Sequence, residues 1–546
     1  MNNATSTLII EENTLLTNVI ENFEGVNGDL LLMDARTVVA TPHLELLTDY
    51  PRKTCAALVA VEKNGDTLAR QNRIASASSN SHKVTIGNRN FVGALLLSGF
   101  DKPKILEALR NAATFGVKGN AIDLVLVALV RAAIRVDAVD IWGAPYSRSA
   151  EVIEREKVKK AIDTLNMGRL RLSMANRAND GFFSVFFLRK FSKILTWVAV
   201  RIGATPNQVT LISFAIGLYS AYSFSQGGFA ATLIGALLLQ LSIIVDCVDG
   251  ELARYTRKFS SLGAWLDAVT DRVKEYLVFL GLAYGAAREG KDLWIPATLM
   301  MLIQTFRHLS DYNFAQSIKI RNEELLKIPV EFTAEFDGII PNERLPQGRL
   351  RYWLGKIIQF PIGERWLVIS VSAVIGGAAF TFTVMPILAL ISAIVVYRGR
   401  IIRTRSLAKS RLPGNLIVNQ LDLIGIKQTL FSRASWIEPS IWRAIEGLLL
   451  IAVFQSQGLM GVTSFVLLFA ILFHHYDSLY RALQGERKPL WLEIAGLYLG
   501  GRVLIIGSLL LLGGPEPILA WYFTLLFVLV SSAQWVLSHR QNKVSK

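Results

Sequence analysis

The sequence predicts a mainly α-helical, polytopic membrane protein with about ten spans and an amino-terminal soluble α/β domain. The 546 residues are 52% hydrophobic and 18% charged, whereas soluble domains have about 25% charged residues. Most of the apolar residues follow residue 180, in segments long enough to cross a bilayer, which takes about 20 residues each. Basic residues concentrate in every second connection between these segments, as the positive-inside rule requires of cytoplasmic loops, while the intervening connection REGKD (288–292) is mixed in charge.

The charge and the cysteine content restrict the partners and the compartment. The net charge is +15, which in a membrane protein indicates basic cytoplasmic loops and anionic lipid headgroups, so membrane lipids rather than nucleic acid are the expected partner. Cys55 and Cys247 are the only cysteines, so the sequence has no disulfide framework. The amino terminus has no basic region followed by an apolar run, so we expect no cleaved signal peptide and a cytoplasmic amino-terminal domain.

Residues 1–165 are predicted to form the soluble α/β domain. Short apolar runs at 30–33, 56–61 and 91–97 are bounded by polar turns, as is typical of strands. A helical pattern over 121–135 follows them, and such mixing favours an α/β fold. The segment has no glycine-rich phosphate loop, so no catalytic function is evident in it.

Residues 166–203 are predicted to be a linker that ends in an interfacial amphipathic helix. The run 182–202 mixes aromatic and aliphatic residues with four basic side chains. That is too basic for a comfortable span, and the pattern is typical of a helix lying on the cytoplasmic leaflet. Pro206 is then suitably placed to begin a new helix.

Ten membrane spans are predicted in the remainder of the chain. They are placed at residues 207–225, 229–255, 261–287, 293–316, 364–383, 385–401, 440–456, 458–478, 491–513 and 516–537. Positive charge falls on alternate loops, so both termini are expected in the cytoplasm. A basic cytoplasmic linker, 403–439, separates a six-span unit at 204–402 from a four-span unit at 440–546. The connection 319–365 is either a plain connector or a second interfacial element.

The stretch 246–271 carries the most distinctive pattern, DCVDGELARYTRKFSSLGAWLDAVTD. Asp246 and Asp249 are three residues apart, and Asp267 and Asp271 are four apart, so each pair shares a helix face. Two antiparallel helices would bring the carboxylates together, and such a set suits Mg²⁺ with substrate phosphates. The alternative is a polar helix end at a membrane surface, but charges this close to hydrocarbon are usually functional.

This pattern resembles the CDP-alcohol phosphotransferase (phosphatidyltransferase) family over roughly residues 180–402. The fixed positions of the family motif are matched by Asp246, Asp249, Gly250, Ala253, Arg254, Gly263, Asp267 and Asp271. The resemblance implies a six-span core and transfer of a phosphoryl-alcohol group, such as phosphatidyl, from a CDP-alcohol to a hydroxyl, with release of CMP. It also implies phospholipid or inositol-phosphodiester synthesis, a donor such as CDP-diacylglycerol, and a homodimer.

The resemblance further implies roles for individual residues. Two Mg²⁺ or Mn²⁺ ions would be held by Asp246, Asp249, Asp267 and Asp271, and Asp271 would also be the general base. The implied substrate-binding residues are Asn207, Thr210, Gly250, Ala253, Arg254, Ser260 and Gly263. Gly250 and Ala253 lack bulk beside a nucleotide, and Arg254 would donate to the diphosphate as a bidentate group.

The class of acceptor substrate is inferred from the order of the domains along the chain. The linker and interfacial run resemble fused enzymes that join an inositol-phosphate cytidylyltransferase to a di-inositol-phosphate synthase. The amino-terminal domain would then be a degenerate nucleotidyltransferase with a regulatory or packing role. A polyol or polyol phosphate is the expected acceptor, with Arg307, His308 and Arg321 as candidate contacts. The alternative is that these residues are ordinary positive-inside anchors.

Two further alternatives remain open at this stage. His474 and Asp477 share a helix face and could ligate a metal, but ion pairing inside a bundle explains the charges of the last four spans more simply. The whole chain could also be a non-catalytic scaffold or transporter with a relic motif, or a Mg²⁺-dependent prenyl-diphosphate transferase. Both are disfavoured, because every carboxylate and every small residue of the motif is present.

Overall fold

The computed structural model groups the chain into two compact units. Of the described residues, the first unit comprises those up to residue 175 with the short segment 254–259, and the second comprises the others. The residues that the structure describes are 5–49, 53–70, 72–175, 181–325, 349–406, 436–483 and 488–544. Most of the predicted linker 403–439 and the middle of the connection 319–365 lie outside the described residues.

The first unit contains a seven-stranded mixed sheet. Its strands are β1 (Ser6–Ile10), β2 (Leu30–Asp34), β3 (Cys55–Val61), β4 (Thr67–Arg70), β5 (Arg73–Ala77), β6 (Arg89–Leu97) and β7 (Val136–Asp140). The order is β1-β2-β6-β3-β7-β5-β4, and β4 also pairs with β6. Strand β6 is antiparallel to β2 and β3, whereas β1 with β2 and β3 with β7 are parallel.

Helices cover both faces of the sheet in the first unit, because alternate residues of β3 contribute to two different buried clusters. Cys55, Ala57 and Val59 contribute to one buried apolar cluster. Ala56 and Leu58 point to the other face and contribute to a second cluster, as the two-residue period of a strand requires. The helices are α1 (Leu16–Gly25), α2 (Thr41–Thr48), α3 (Lys102–Thr114), α4 (Ala121–Arg131), α5 (Val152–Asp163) and α6 (Met167–Met174).

Asp34, at the end of β2, is a buried carboxylate held by two arginines. Arg36 Nη2 and Arg148 Nη2 each lie 2.9 Å from Asp34 Oδ2. Burial would raise the pKa of Asp34, but the hydrogen bonds from Arg36 and the charge of Arg148 outweigh it and lower the pKa to about 2. The ionised form therefore stabilises the fold by about 2 kcal/mol, because the folded pKa lies below the unfolded value.

The Asp34→Asn variant should consequently show a pH-dependent loss of stability. Near neutral pH it should unfold at a lower temperature than the wild type, and the difference should shrink as the pH falls from about 4 to about 2, where the wild-type carboxylate also becomes protonated. Thermal unfolding of the full chain in detergent at several pH values measures this. Asp163→Asn, at an exposed position, is the control, and a pH-independent difference would contradict the prediction.

The second unit is helical among the residues that the structure describes. Its longer helices are α7 (Arg189–Arg201), α8 (Pro206–Ser225), α9 (Phe229–Thr256), α10 (Ser261–Arg288), α11 (Trp294–Leu325), α12 (Arg349–Ile358), α13 (Ile362–Ser406), α14 (Glu438–Ser456) and α15 (Val462–Leu483). Shorter pieces follow: α16 (Leu490–Ala495), α17 (Tyr498–Gly501), α18 (Gly507–Leu511), α19 (Glu516–Phe523) and α20 (Ser531–Val544). Wide helical turns connect α17 to α18 and α19 to α20.

Five helical segments of the described residues are long and apolar enough to cross a membrane. They are Phe229–Thr256, Ile362–Ile402, Val462–Ala482, Leu490–Leu511 and Glu516–His539. This confirms the coarse prediction of a mainly helical membrane protein. The bounds of α8 to α11 also lie within a few residues of the first four predicted segments, apart from the carboxyl end of α11, which extends to Leu325.

The predicted break between the fifth and sixth spans lies at a different residue in the structure. The predicted spans 364–383 and 385–401 place it at Val384, yet that residue is helical. The non-helical residue is Gly377, with φ 71° and ψ −168°, a conformation that glycine adopts without steric cost. The break thus occurs where the backbone tolerates it.

Helix α10 packs against α8 without intervening side chains. A Cβ atom at Gly281 would lie 2.2 Å from the carbonyl oxygen of Ala221, and one at Gly285 would lie 2.2 Å from that of Phe224. Only glycine allows this approach, and two small residues four apart are a known way to pack helices in membranes. We call this contact the glycine seam.

The predicted interfacial helix is amphipathic and is joined to α9 by a buried carboxylate. Glu251 accepts hydrogen bonds from Arg189 Nη1 (2.5 Å), Ser192 Oγ (2.8 Å) and Thr196 Oγ1 (2.6 Å). The opposite face of α7 exposes large apolar side chains, including Phe191, Ile194 and Trp197. One face of α7 is therefore bound to α9, and the other is apolar and exposed.

Candidate active site

Three of the four predicted metal ligands lie together. Asp246 lies on α9, and Asp267 and Asp271 lie on the first half of α10. One carboxylate oxygen from each of the three lies within 4.8 Å of the others. Within the described residues this is the one group of three or more potential ligands that meets this distance condition. We call it the acidic cluster.

Asp249, the fourth predicted ligand, is not part of that group. It is buried, and its Oδ2 accepts a hydrogen bond of 2.6 Å from Thr210 Oγ1 on α8. Thr210, which was predicted as a substrate contact, therefore holds Asp249 in this structure. The spacing of Asp246 and Asp249 on α9 keeps both on the side of the helix that faces α8.

A buried lysine that the sequence analysis missed contacts the acidic cluster. Lys274 Nζ lies 2.5 Å from Asp246 Oδ1 and 3.1 Å from Asp271 Oδ1. It also donates to Ser213 Oγ (2.9 Å), which in turn donates to Asp246 Oδ1 (3.0 Å). The side chain of Lys274 is fully buried. One signal was available in the sequence, because a lysine one helical turn after Asp271, inside an apolar span, is costly unless it is paired.

The acidic cluster is suited to a hard divalent cation. It offers carboxylate oxygens only, which are the ligands such cations prefer. The buried Oδ1 of Asp271 accepts no hydrogen bond, since Lys274 Nζ reaches it at an ion-pair distance without hydrogen-bond geometry. A buried carboxylate oxygen without a hydrogen-bond donor is unfavourable, so this oxygen is available to a cation.

Small and polar residues surround the start of α10. A Cβ atom at Gly263 would lie 2.8 Å from both Asn207 Oδ1 and Ser260 Oγ, so these three predicted substrate contacts lie together. Ser260 Oγ also accepts the hydrogen bond from Gly263 N that caps α10. Gly250 and Ala253 follow Asp246 at four and seven residues and share its face of α9.

Three of the other four predicted contacts have protein partners in the structure. Arg254 groups with the first unit, where its Nε donates to the carbonyl of Ala175. Arg307 Nη2 donates to the carbonyl of Gln359. His308 Nδ1 lies 2.9 Å from Tyr476 Oη. Arg321 belongs to α11, but its side chain lies outside the described part of the chain. Substrate-binding roles for these four residues remain predictions.

Several charged residues of the last four predicted spans lie in buried ion pairs. Glu446 pairs with His475 (2.8 Å) and Arg502 (2.5 Å). Asp477 pairs with Arg481 (2.9 Å), and His474 Nδ1 lies 2.9 Å from Lys488 Nζ. This arrangement favours the simpler of the two interpretations, ion pairing inside a bundle, over a metal site at His474 and Asp477.

Comparison with known families identifies the segment that contains the acidic cluster. Residues 203–334 match the family model described as CDP-alcohol phosphatidyltransferase. The chain therefore contains a phosphotransferase domain of this class, and the resemblance inferred from the motif is confirmed. Residues 383–542 match a second model, described as a family of unknown function (DUF5941).

Individual relatives agree with this assignment. The bifunctional IPC transferase and DIPP synthase of Thermococcus kodakarensis is 32% identical over 172 residues, which cover 29% of this chain and 38% of that protein. The archaetidylinositol phosphate synthase of Pyrococcus horikoshii is 36% identical over 84 residues, 15% of this chain and 43% of the relative. The phosphatidylinositol phosphate synthase of Mycobacterium tuberculosis is 32% identical over 118 residues, 21% of this chain and 53% of the relative. The chain thus spans less than two thirds of each relative's length.

Proposed function

We propose that this protein transfers a phosphoryl-alcohol group from a membrane-embedded CDP-alcohol to a hydroxyl of a polyol or polyol phosphate, with release of CMP. The observation that carries the proposal is the acidic cluster, which lies inside the matched phosphotransferase domain. Among the relatives, the names of two synthases specify inositol phosphate lipids. An inositol-phosphate-like acceptor is therefore the proposed class, with CDP-diacylglycerol as a candidate donor.

Asp246, Asp249, Asp267 and Asp271 are the residues that would hold the cations, proposed as two Mg²⁺ or Mn²⁺ ions. Such ions, when bound, neutralise a diphosphate and clamp the attacking and leaving oxygens. Gly250 and Ala253 have little or no side chain, so the nucleotide can approach the backbone of α9 there. Arg254 is proposed to donate to the diphosphate, and Asn207, Ser260 and Gly263 to contact the donor near the start of α10.

Asp271 is proposed as the general base. Its carboxylate takes the proton of the acceptor hydroxyl while that oxygen attacks the β-phosphorus of the donor. A new phosphorus–oxygen bond forms to the acceptor, the bond from the β-phosphorus to the bridging oxygen breaks, and CMP leaves with that oxygen. Lys274, which is paired to both Asp246 and Asp271, holds these two side chains in place. Arg307, His308 and Arg321 are proposed to recognise an acceptor phosphate.

The remaining parts of the chain are assigned as part of the same proposal. We place the α/β domain at 1–165, the linker and interfacial helix at 166–203, the six-span core at 204–402, the cytoplasmic linker at 403–439 and the four-span unit at 440–546. Ten spans with both termini in the cytoplasm follow from the alternation of basic loops. The acidic cluster then opens at the inner membrane face, where a lipid donor and a soluble acceptor meet. A homodimer is proposed by analogy with the family.

The direct test is CMP release by the purified full-length protein. We expect Mg²⁺-dependent release from CDP-diacylglycerol with at least one member of a panel that includes inositol, inositol 1-phosphate and glycerol 3-phosphate, and no release after chelation with EDTA. Release of diphosphate from a prenyl diphosphate would favour the prenyltransferase alternative. Absence of CMP release with every donor and acceptor would overturn the proposal and favour the scaffold alternative.

A further inference from the structure

The helix that carries Asp267 and Asp271 is bound on its other side to the carboxyl-terminal helices. Trp265, near the start of α10, is only 4% exposed. Its indole Nε1 donates a hydrogen bond of 3.0 Å to Asp477 Oδ1 on α15, 212 residues further along the chain. Successive helical residues rotate by about 100°, so Asp267, two positions later, projects from the opposite side of α10.

Asp477 is itself held firmly. Arg481 Nε lies 2.9 Å from its Oδ1, and Lys488 Nζ lies 3.0 Å from its Oδ2. Ser531 Oγ on α20 donates to Oδ2 at 2.6 Å. A fully buried carboxylate with two cationic partners and two neutral donors has little freedom to move, because any displacement breaks several charge-assisted bonds.

Other contacts join the same end of α10 to α20. His539 Nε2 lies 2.9 Å from Ser261 Oγ. The rings of Trp265 and Trp535 are 6.2 Å apart between centroids, and the guanidinium of Arg481 lies 4.8 Å from the Trp535 ring. The first turns of α10 are therefore anchored through polar and aromatic contacts to a segment outside the matched phosphotransferase domain.

These contacts matter because the acidic cluster brings carboxylates from two different helices close together. Three carboxylates within 4.8 Å of one another repel strongly in apolar surroundings, and Asp246 lies on α9 while its two neighbours lie on α10. Lys274 compensates part of that charge. A fixed support behind α10 resists the remaining tendency of the helices to separate.

We propose that the carboxyl-terminal segment 438–544 is a structural support for the phosphotransferase domain, in which Trp265 and Asp477 are positioning residues for the acidic cluster. The inference rests on the proposed function, in which that cluster binds divalent cations. It assigns a role to a segment matching a family of unknown function. Mutation of residues that orient metal ligands typically lowers metal affinity or activity by about 10–100-fold.

The test compares two buried tryptophans in the full-length protein. Trp265→Phe removes the indole N–H and keeps an aromatic ring in place. Trp436→Phe is the matched control, because Trp436 is also buried but packs on other residues, namely Phe314, Tyr397 and Arg400. The Nε1 atom of Trp436 has no hydrogen-bond partner, so this substitution removes no hydrogen bond. Mn²⁺ binding, followed by the free-ion EPR signal, and CMP release are measured for both.

We expect Trp265→Phe to weaken Mn²⁺ binding about tenfold and to lower kcat by a similar factor, while Trp436→Phe behaves as the wild type. Ser531→Ala, which removes one hydrogen bond to Asp477, is a milder second variant and should shift Mn²⁺ affinity in the same direction by about twofold to threefold. It decides the question if Trp265→Phe does not fold, because unchanged Mn²⁺ affinity in Ser531→Ala would then overturn the inference.

The remaining outcomes separate the two proposals. If the wild type is active and Trp265→Phe has the same Mn²⁺ affinity and kcat as Trp436→Phe, whether both are normal or both impaired, the inference of a structural support is overturned and the proposed function is not. A wild type that binds Mn²⁺ without releasing CMP would overturn the proposed function, while the Mn²⁺ affinities of the variants would still decide the support. A wild type that neither binds Mn²⁺ nor releases CMP would overturn both.

Discussion

Asp271→Asn is expected to lower the rate of CMP release by about 10²–10⁴-fold, the range that general acid–base groups contribute. An amide cannot accept the proton of the acceptor hydroxyl, although it nearly preserves the shape of the side chain. Initial rates at saturating donor and acceptor, with both wild type and variant, measure the effect. They should be repeated at saturating Mn²⁺, because a loss that persists there reflects the missing base rather than weaker cation binding.

Asp292→Asn is the matched control for that variant. It makes the same chemical change at an exposed position in the loop between α10 and α11, and its rate should equal that of the wild type. Undiminished activity of Asp271→Asn would remove Asp271 from the mechanism. Equal loss in both variants would point to a general effect on the protein.

Lys274→Met is expected to lower the free energy of unfolding by about 3–5 kcal/mol, the usual cost of removing one partner of a buried ion pair. Methionine fills similar space, but Asp246 and Asp271 then lose the ammonium group that lies 2.5 and 3.1 Å from them. Equilibrium unfolding in mixed detergent micelles, with EDTA present, measures the difference.

Divalent cations should restore part of the stability of Lys274→Met. Mg²⁺ supplies positive charge to the same carboxylates, so it should stabilise the variant more than it stabilises the wild type. Lys291→Met is the control, because Lys291 is 60% exposed and its pair with Glu289 lies at the surface, where such pairs contribute little. A Lys274→Met variant as stable as this control would show that the buried pair does not stabilise the fold.

The local parts of this architecture could be read from the sequence. Asp246, Asp267 and Asp271 meet because their spacing places them on helix faces, and helical periodicity is a property of neighbouring residues. The start of α8 was predictable for a similar reason. The Thr205 side chain accepts a hydrogen bond from the backbone N–H of Gln208, and Pro206 occupies the first turn. This combination favours helix initiation.

The remaining features depend on contacts that no local pattern specifies. Lys274 is one turn from Asp271, but only the packing of α9 against α10 shows that it also contacts Asp246. Asp249 has the right spacing for the cluster, yet it falls outside that group and accepts a hydrogen bond from Thr210 on another helix. The bond between Trp265 and Asp477 crosses 212 residues, so their proximity follows from the tertiary fold alone.

The glycine seam has a mechanical consequence for the helix that carries the acidic residues. Trp265 and Gly281 are 16 positions apart, which corresponds to about 24 Å along α10, and Asp267 and Asp271 lie between them. The helix therefore resembles a beam fixed at both ends, by a hydrogen bond to Asp477 at one and by backbone contact with α8 at the other. A helix held in this way cannot shift or tilt as a rigid body. The part that carries Asp267 and Asp271 can move only if the helix bends. The distance of Asp267 and Asp271 from α9 then depends on the stiffness of this stretch of helix together with the ion pair between Lys274 and Asp246.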